Sequence, residues 1–378
     1  MKIVVLGAGN GGVFTALHFS WFARIDNPSL EVELIYDPTI SPEPVGQATV
    51  LDAPSLLWGA TGFNWYNNTI NATFKSGILY EGWGKLNDKV FHPFPGDKMA
   101  MHYCPWRMQK LILESGHFKV TEGNLEPKDV DADYVIDCRG KPKDFANYKQ
   151  LKNPINSSIL GKPKWDTSKE YWSRHVATPD GWTFVIPTHV SSPSNDYCVG
   201  YCFNKDITAP EDAEQNFLDM FDVEVKKHVS FNNYVAEEPV LDQRVFLNGN
   251  RLFFLEPLES SSTEAYITVS RILYDFIVTG TITSSLEVKR RIHNYVNCLE
   301  NFVLWHYMYG SKYDTPFWDY AKKFSLDVEI LGYIAGCRYA ETSDCLPHAY
   351  GGRVADEKYA QWHPYNFKVW LDGMEKTI

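Results

Sequence analysis

The chain has 378 residues, enough for two or three structural units at roughly 150 residues each and far too long for a disulfide-stapled miniprotein. Lys and Arg total 36 against 47 Asp and Glu, a formal charge of −11, and no stretch gathers basic residues, which excludes phosphate-backbone binding driven by counterion release. Hydrophobic residues at 44% and charged residues at 22% exclude disorder, and 15% aromatics with 12 Trp point to apolar walls built from rings.

Ile3 to Leu6 is a short β-branched run, followed by Gly7-Ala8-Gly9-Asn10-Gly11-Gly12 and a helical stretch, Val13 to Arg24. A second predicted strand, Val32 to Tyr36, ends in Asp37, which completes a βαβ unit and sets the fold class as α/β. Gly7-x-Gly9-x-x-Gly12 is the dinucleotide fingerprint. The first glycine makes the turn, the second lets the backbone approach a pyrophosphate, and the third lets helix and strand pack closely. The helix N-terminus offers N–H groups and a positive dipole end to the phosphates, and Asp37 is available for a ribose hydroxyl. The same glycines could merely turn a tight loop, but the strand-turn-helix order favours the fingerprint. NAD and FAD are not separated by the motif; the late return strand, Ala132 to Ile136, is the interruption expected of an FAD domain. Gly140 after that strand permits either close approach to the cofactor or a simple turn.

Pro38 to Pro54 is loop-like, Pro105 to Leu113 reads as a helix, and His117 to Glu122 as a strand. Between residues 140 and 240, alternating runs such as Trp182 to Pro187 and Tyr197 to Phe203 predict an inserted antiparallel sheet, the substrate domain. Period-two alternation puts Trp182, Phe184 and Ile186 on one face, with Pro187 ending the strand; patterning alone reads this as sheet core. Ala265 to Ile277 and Leu286 to Trp305 have helical spacing, and the remainder to Ile378 reads as mostly helical with aromatic-rich loops.

Seven cysteines without a CxxC pair fit neither a zinc knuckle nor a disulfide framework, and eleven histidines without HExxH or His-x-x-x-His predict no metal site. No run of about 18 apolar residues and no signal-like N-terminus are present, so a soluble cytoplasmic protein without membrane or nucleic-acid partners is expected. The sequons at Asn67 and Asn71 are then never glycosylated.

The fingerprint, Val45-Gly46-Gln47-Ala48-Thr49, Thr73-Phe74-Lys75-Ser76-Gly77, Trp182 to Pro187, Glu256-Pro257-Leu258-Glu259-Ser260, and His306-Tyr307 followed by Asp314-Thr315-Pro316-Phe317-Trp318 form an ordered set. Together they resemble the flavin-dependent tryptophan halogenase family, as a compact, viral-type member. The resemblance implies a Rossmann-like FAD-binding domain of the flavin monooxygenase type with an inserted antiparallel sheet and a helical C-terminal region. Residues 1–140 and 241–290 would bind FAD, 141–240 would form the substrate sheet, and 291–378 the helical substrate side.

In that family reduced FAD, O₂ and a halide (chloride, bromide or iodide) give hypohalous acid, which crosses a tunnel to a lysine beside an aromatic substrate. By resemblance Lys75 is that lysine and Glu259 the second catalytic residue. Ala48, Thr49 and Gly140 join the cofactor site, Trp182, Phe184, Ile186 and Pro187 wall the tunnel, the backbone at Ser261 and Ser262 holds the halide, and His92, His306 and Tyr307 face the substrate. A separate flavin reductase would supply FADH₂, in the host cytoplasm for a viral member. A buried lysine can donate to hypohalous acid or form a haloamine, and a carboxylate can steady the cationic adduct and take the ring proton.

Residue by residue, blander readings stand beside these. Lys75 is one of 36 basic residues, and Glu259, arriving just after the apolar run Leu252 to Leu255, also suits a helix start. His92, His306 and Tyr307 also suit packing. Phe184 stands where the family pattern has a second Trp, Gln47 where Glu is usual, and Ser261-Ser262 where Thr-Gly is usual; the stretch before Glu256 is shortened. The rival readings are a flavin-dependent aromatic hydroxylase and a catalytically silent FAD-binding protein.

Overall fold

The computed structural model describes residues 1–42, 45–86, 88–94, 99–167, 169–187, 197–327 and 364–374. The chain opens with β1 (Lys2–Leu6), α1 (Asn10–Asp26) and β2 (Glu31–Tyr36). It continues through β3 (Gln47–Ala48), α2 (Asp52–Thr61), β4 (Thr73–Lys75), β5 (Gly77–Glu81), β6 (Lys89–Pro93), β7 (Ala100–Tyr103), α3 (Pro105–Leu113), β8 (Lys119–Glu122) and β9 (Tyr134–Asp137). Then follow β10 (Tyr148–Gln150), β11 (Ser157–Pro163), β12 (Ser173–Thr178), β13 (Gly181–Val185), β14 (Val199–Phe203), α4 (Pro210–Met220), β15 (Val223–Ser230), β16 (Tyr234–Ala236), β17 (Val240–Leu241), β18 (Val245–Leu247) and β19 (Phe253–Phe254). The last described elements are α5 (Ser262–Tyr274), α6 (Ser285–Met308), α7 (Pro316–Ala321) and α8 (Pro364–Met374).

Among the described residues, a six-stranded sheet has the order β17-β18-β9-β1-β2-β8, parallel apart from the β17–β18 edge pair. Ile3, Val4, Val5 and Leu6 are all buried, which explains why β1 reads as a continuous apolar run rather than an alternating one: a parallel sheet is covered on both faces. A seven-stranded sheet, β15-β11-β14-β13-β12-β5-β6, is antiparallel except where β12 lies parallel to β5. It takes β5 and β6 from the N-terminal stretch, so these two strands pack with strands from residues 157–230. The small sheet β3-β7-β4 ties the loop after β2 to the strand carrying Lys75.

The α/β fold is as the sequence predicts, and α3 starts at Pro105, where a missing N–H costs nothing in the first turn. Most boundaries shift by one to three residues, and two of the differences bear on the site. The stretch read as loop to Pro54 gives way to α2 at Asp52, because Pro54 falls in the helix's first turn and is tolerated there. The strand holding Trp182 and Phe184 ends at Val185, so Ile186 and Pro187 form the exit from β13. Helix α6 begins with the hydroxyl of Ser284 accepting from the N–H of Glu287, and carries His306 and Tyr307 in its last turn. Cys104, Cys138, Cys198, Cys202 and Cys298 are buried free thiols; Cys337, Cys345 and most of the C-terminal aromatic stretch lie outside the described residues. Among the described residues no helix is long and apolar enough to cross a membrane.

Candidate active site

At the C-terminal end of β1 the fingerprint folds as its glycines require. Gly7 has φ +95° and donates its N–H to Ile35 O at 2.8 Å; a Cβ on Gly12 would stand 1.8 Å from Gly7 O. Above Gly9 nothing lies within 4 Å of where a Cβ would be, and α1 begins there with no side-chain cap on its first N–H groups. Gln109 from α3 fixes the turn by donating to Ala8 O at 2.7 Å. Asp37 follows β2, its carboxylate accepting from the N–H and hydroxyl of Thr39 and from Asn124, bonds that hold it below the usual range. A carboxylate has further lone pairs for a ribose. Open space over Gly9, an uncapped helix start and an acid after β2 fit a dinucleotide. Gly140 adopts φ +62° with nothing near a Cβ position, as a turn demands.

Lys75, last residue of β4, is wholly buried, and its ammonium donates to Thr49 O at 3.1 Å. Burial lowers its pKa to about 7, against a smaller upward pull from Glu259. Its Nζ sits 5.4 Å from the Phe94 ring centre. Thr49 is itself held by the β7 backbone: its N–H donates to Met101 O at 2.8 Å and its Oγ1 accepts from Met101 N at 3.1 Å. Ala48 pairs with His102 in the same small sheet. The loop implied for the cofactor thus hands its carbonyl directly to the lysine.

Glu259 lies between β19 and α5, wholly buried, with φ +72° followed by Ser260 at φ +55°. Its Oε1 accepts from the Tyr80 hydroxyl and faces His306 Nε2 at 2.6 Å, with His92 Nδ1 at 3.6 Å. His306 Nδ1 is 2.7 Å from Phe302 O, a pure acceptor, so Nδ1 carries a proton. Nε2 is the ring atom turned to Glu259. Burial alone would raise the Glu259 carboxyl; the His306 and His92 imidazoles outweigh it and hold it well below the usual carboxylate range. Oε2 is buried with no hydrogen-bond partner in the protein.

Sequence reasoning missed Glu256. Its carboxylate, also buried, accepts from Trp182 Nε1 at 2.9 Å, Tyr307 OH at 2.8 Å and Asn153 Nδ2 at 2.8 Å. Burial raises its pKa to about 7, opposed by those three bonds. Strand β13 and its exit are therefore pinned: Trp182 is tied through Glu256 to the same loop as Glu259, Phe184 lies over Gly200 of β14, and Pro187 O accepts from Thr73 Oγ1 at 3.0 Å, two residues before Lys75. Ile186 packs, partly buried, against the core. Tyr307 and Trp182 thus share the Glu256 carboxylate. Ser261 precedes α5 without a side-chain cap, and Ser262 opens the helix.

Tyr80 and Trp370 also went unread. Trp370, from α8, lies with its ring centre 4.3 Å from Tyr80, 4.4 Å from His306 and 6.1 Å from His92. No local pattern signals either residue; only the apposition of β5, α6 and α8 brings them to Glu259.

A dinucleotide-binding α/β fold, joined to a mixed sheet whose junction buries a lysine and two glutamates, is the class of protein these observations define. The sequence profile of the tryptophan halogenase family matches residues 2–126 and 114–376, and the chain belongs to that family. Tryptophan 7-halogenase RebH of Lentzea aerocolonigenes is 21% identical over 312 residues, 74% of this chain and 56% of that protein. The chain thus aligns with little more than half the length of that curated relative. In structure it is similar to MibH, a lathipeptide tryptophan 5-halogenase, with TM-score 0.79 and 19% identity over 99% of this chain and 85% of the other. It is also similar to the tryptophan halogenase of Shewanella frigidimarina, with TM-score 0.77 and 18% identity over 99% and 89%. These two likenesses show a shared fold.

Proposed function

We propose that the chain halogenates an electron-rich small aromatic compound, using FADH₂ from a separate flavin reductase, O₂ and a halide, in the cytoplasm. The observation that carries this reading is the joint burial of Lys75 and Glu259, each with a reactive atom left available. Gly7, Gly9, Gly12 and Asp37 would hold the dinucleotide, with Ala48, Thr49 and Gly140 beside it. Reduced flavin, when bound, supplies with O₂ the oxidising equivalent that converts halide to hypohalous acid. The backbone at Ser261 and Ser262 offers N–H groups to the halide at an uncapped helix start.

Trp182, Phe184, Ile186 and Pro187 separate the flavin side from the arene side and pass only a small oxidant. Lys75, about half amine near pH 7, receives it, as a hydrogen-bonded acid or as a haloamine formed with loss of water. Glu259 faces the arene with Oε2, steadies positive charge on the ring and takes its proton, while His306, Tyr80 and His92 crowd Oε1 and keep the carboxylate ionised. Aromatic contact from His92, Tyr80 and Trp370 discriminates weakly among rings, so the expected range is wider than tryptophan and includes bromide and iodide. On this reading residues 1–140 and 241–290 make the flavin side, and 141–240 and 291–378 the substrate side, with β5 and β6 shared.

The test supplies the purified chain with a flavin reductase, each halide and a panel of indoles and phenols, read by mass spectrometry. Halogenated arene that disappears in Lys75→Ala, with flavin reoxidation unchanged, is the expected result. Reoxidation without halogenated product from any arene, or full yield from Lys75→Ala, would overturn the reading.

A further inference from the structure

Arg251 closes the short turn Gly249–Arg251 between β18 and β19. Asn248 fixes that turn: its Oδ1 accepts from Gly249 N at 2.7 Å, and its Nδ2 reaches Thr15 Oγ1 at 2.9 Å, Tyr266 O at 3.0 Å and Ser270 Oγ at 3.1 Å. The turn lies directly against the start of α1, since a Cβ on Gly11 would stand 2.7 Å from Gly249 Cα. From the sheet side, Asp137 ends β9 in register with Leu6, the residue before Gly7. Two chain segments far apart in sequence therefore converge on the fingerprint.

There Asp137 meets two guanidinium groups. Arg139 grips it with two bonds of 2.9 Å, from Nε to Oδ1 and from Nη2 to Oδ2, and spends other donors on Leu125 O at 2.9 Å and Glu126 at 3.0 Å. Arg251 has only an ion pair, Nε to Asp137 Oδ2 at 3.3 Å, and that Nε is buried without a properly directed hydrogen bond. Its side chain is 16% exposed and the buried orphan atom is Nε, so the outer fork is the part turned to solvent. Two carboxylates, Asp137 and Glu126, face the two guanidiniums, and Arg251 reaches only Asp137, beside the turn that packs on the start of α1. A planar fork with free donors matches phosphate oxygens.

We infer that Arg251 is a phosphate-binding residue for the pyrophosphate of the flavin dinucleotide, held in place by Asp137 and acting beside the N–H groups of α1. This rests on the reading of the chain as FAD-binding and adds to it a residue outside the glycine fingerprint.

The experiment titrates FAD into the full-length apoprotein by flavin fluorescence, at low and at high salt, with ADP as a competitor carrying the diphosphate and riboflavin as a ligand lacking it. Losing a charged hydrogen-bonding partner predicts that Arg251→Gln weakens FAD and ADP about 10- to 100-fold and flattens the salt dependence. Riboflavin binding stays within about twofold, and Arg251→Lys recovers part of the loss through charge without the fork. FAD affinity within about twofold of wild type in Arg251→Gln, or an equal loss for FAD and riboflavin, overturns the inference and leaves Arg251 a tether for Asp137. A wild-type chain that binds riboflavin and ADP but not FAD, or none of them, sinks the flavin reading itself, which separates the two failures. The Arg251→Lys arm decides the matter if the Gln variant does not fold.

Discussion

A lysine held at a pKa of about 7 is half amine at neutral pH, whereas the unfolded chain, at 10.5, keeps it charged. Between those values the unfolded state binds more protons, so this residue makes stability rise with pH from about 7 to 10.5 and imposes its full cost below 7. The cost is on the order of a few kcal/mol. Lys75→Met is accordingly expected to melt several degrees higher than wild type at pH 7, with the advantage fading toward pH 10, while halogenated product falls at least about 100-fold. Thermal melts across pH, set beside product yield, read this; equal midpoints would mean that water reaches the native ammonium. The Glu259–His306 pair has its own signature. Without the His306 ring, burial gains weight and the Glu259 carboxyl rises, so His306→Gln should move the acid limb of the kcat profile to higher pH with KM little changed.

At the scale of elements, the turn from β1 into α1 has no room for a methyl group, given the 1.8 Å separation between a Cβ on Gly12 and Gly7 O. Gly12→Ala should abolish flavin binding and destabilise the chain by about 3 kcal/mol or more, measured by flavin titration and denaturant melts. This part of the molecule is legible in the sequence because its constraints are local: glycine spacing, a β-branched run, and Pro105 opening α3. The Glu259 loop is not. Its left-handed φ values at Glu259 and Ser260 follow no residue preference and persist because Glu256 is caught by Trp182, Tyr307 and Asn153, residues from three other segments. A carboxylate flanked by apolar residues reads as a break in a strand, which is why Glu256 passed unnoticed. Lys75 and Glu259 were reached through resemblance, since nothing near either residue announces complete burial. Ser260→Gly should relieve about 1 kcal/mol of backbone strain and raise the melting midpoint by about 1 °C with FAD affinity unchanged.

For the whole molecule, α8 closes over β5 and α6: Phe367 stacks 4.8 Å from Trp305, Trp370 reaches Tyr80 and His306, and Met374 packs on Gly84. Trp370→Ala is expected to cost about 3–5 kcal/mol and most of the product yield, yet to leave FAD affinity unchanged, because its ring neighbours belong to β5, β6 and α6. Comparing flavin titration with product analysis separates the two effects. The strand order of the six-stranded sheet also has a bearing on how the protein is made. Val4 pairs with Val135, and Val135 in turn with Val245. At ~5–20 residues per second, a ribosome delivers the last of these on the order of tens of seconds after the first. Once Tyr134 to Asp137 has paired with Ile3 to Leu6, it lacks its second neighbour until Val245 arrives, and the growing sheet presents a bare apolar edge. Nascent chains that stall before Leu247 therefore have no way to finish the sheet, and soluble yield should depend on chaperone cover during synthesis more than on any surface residue of the finished protein.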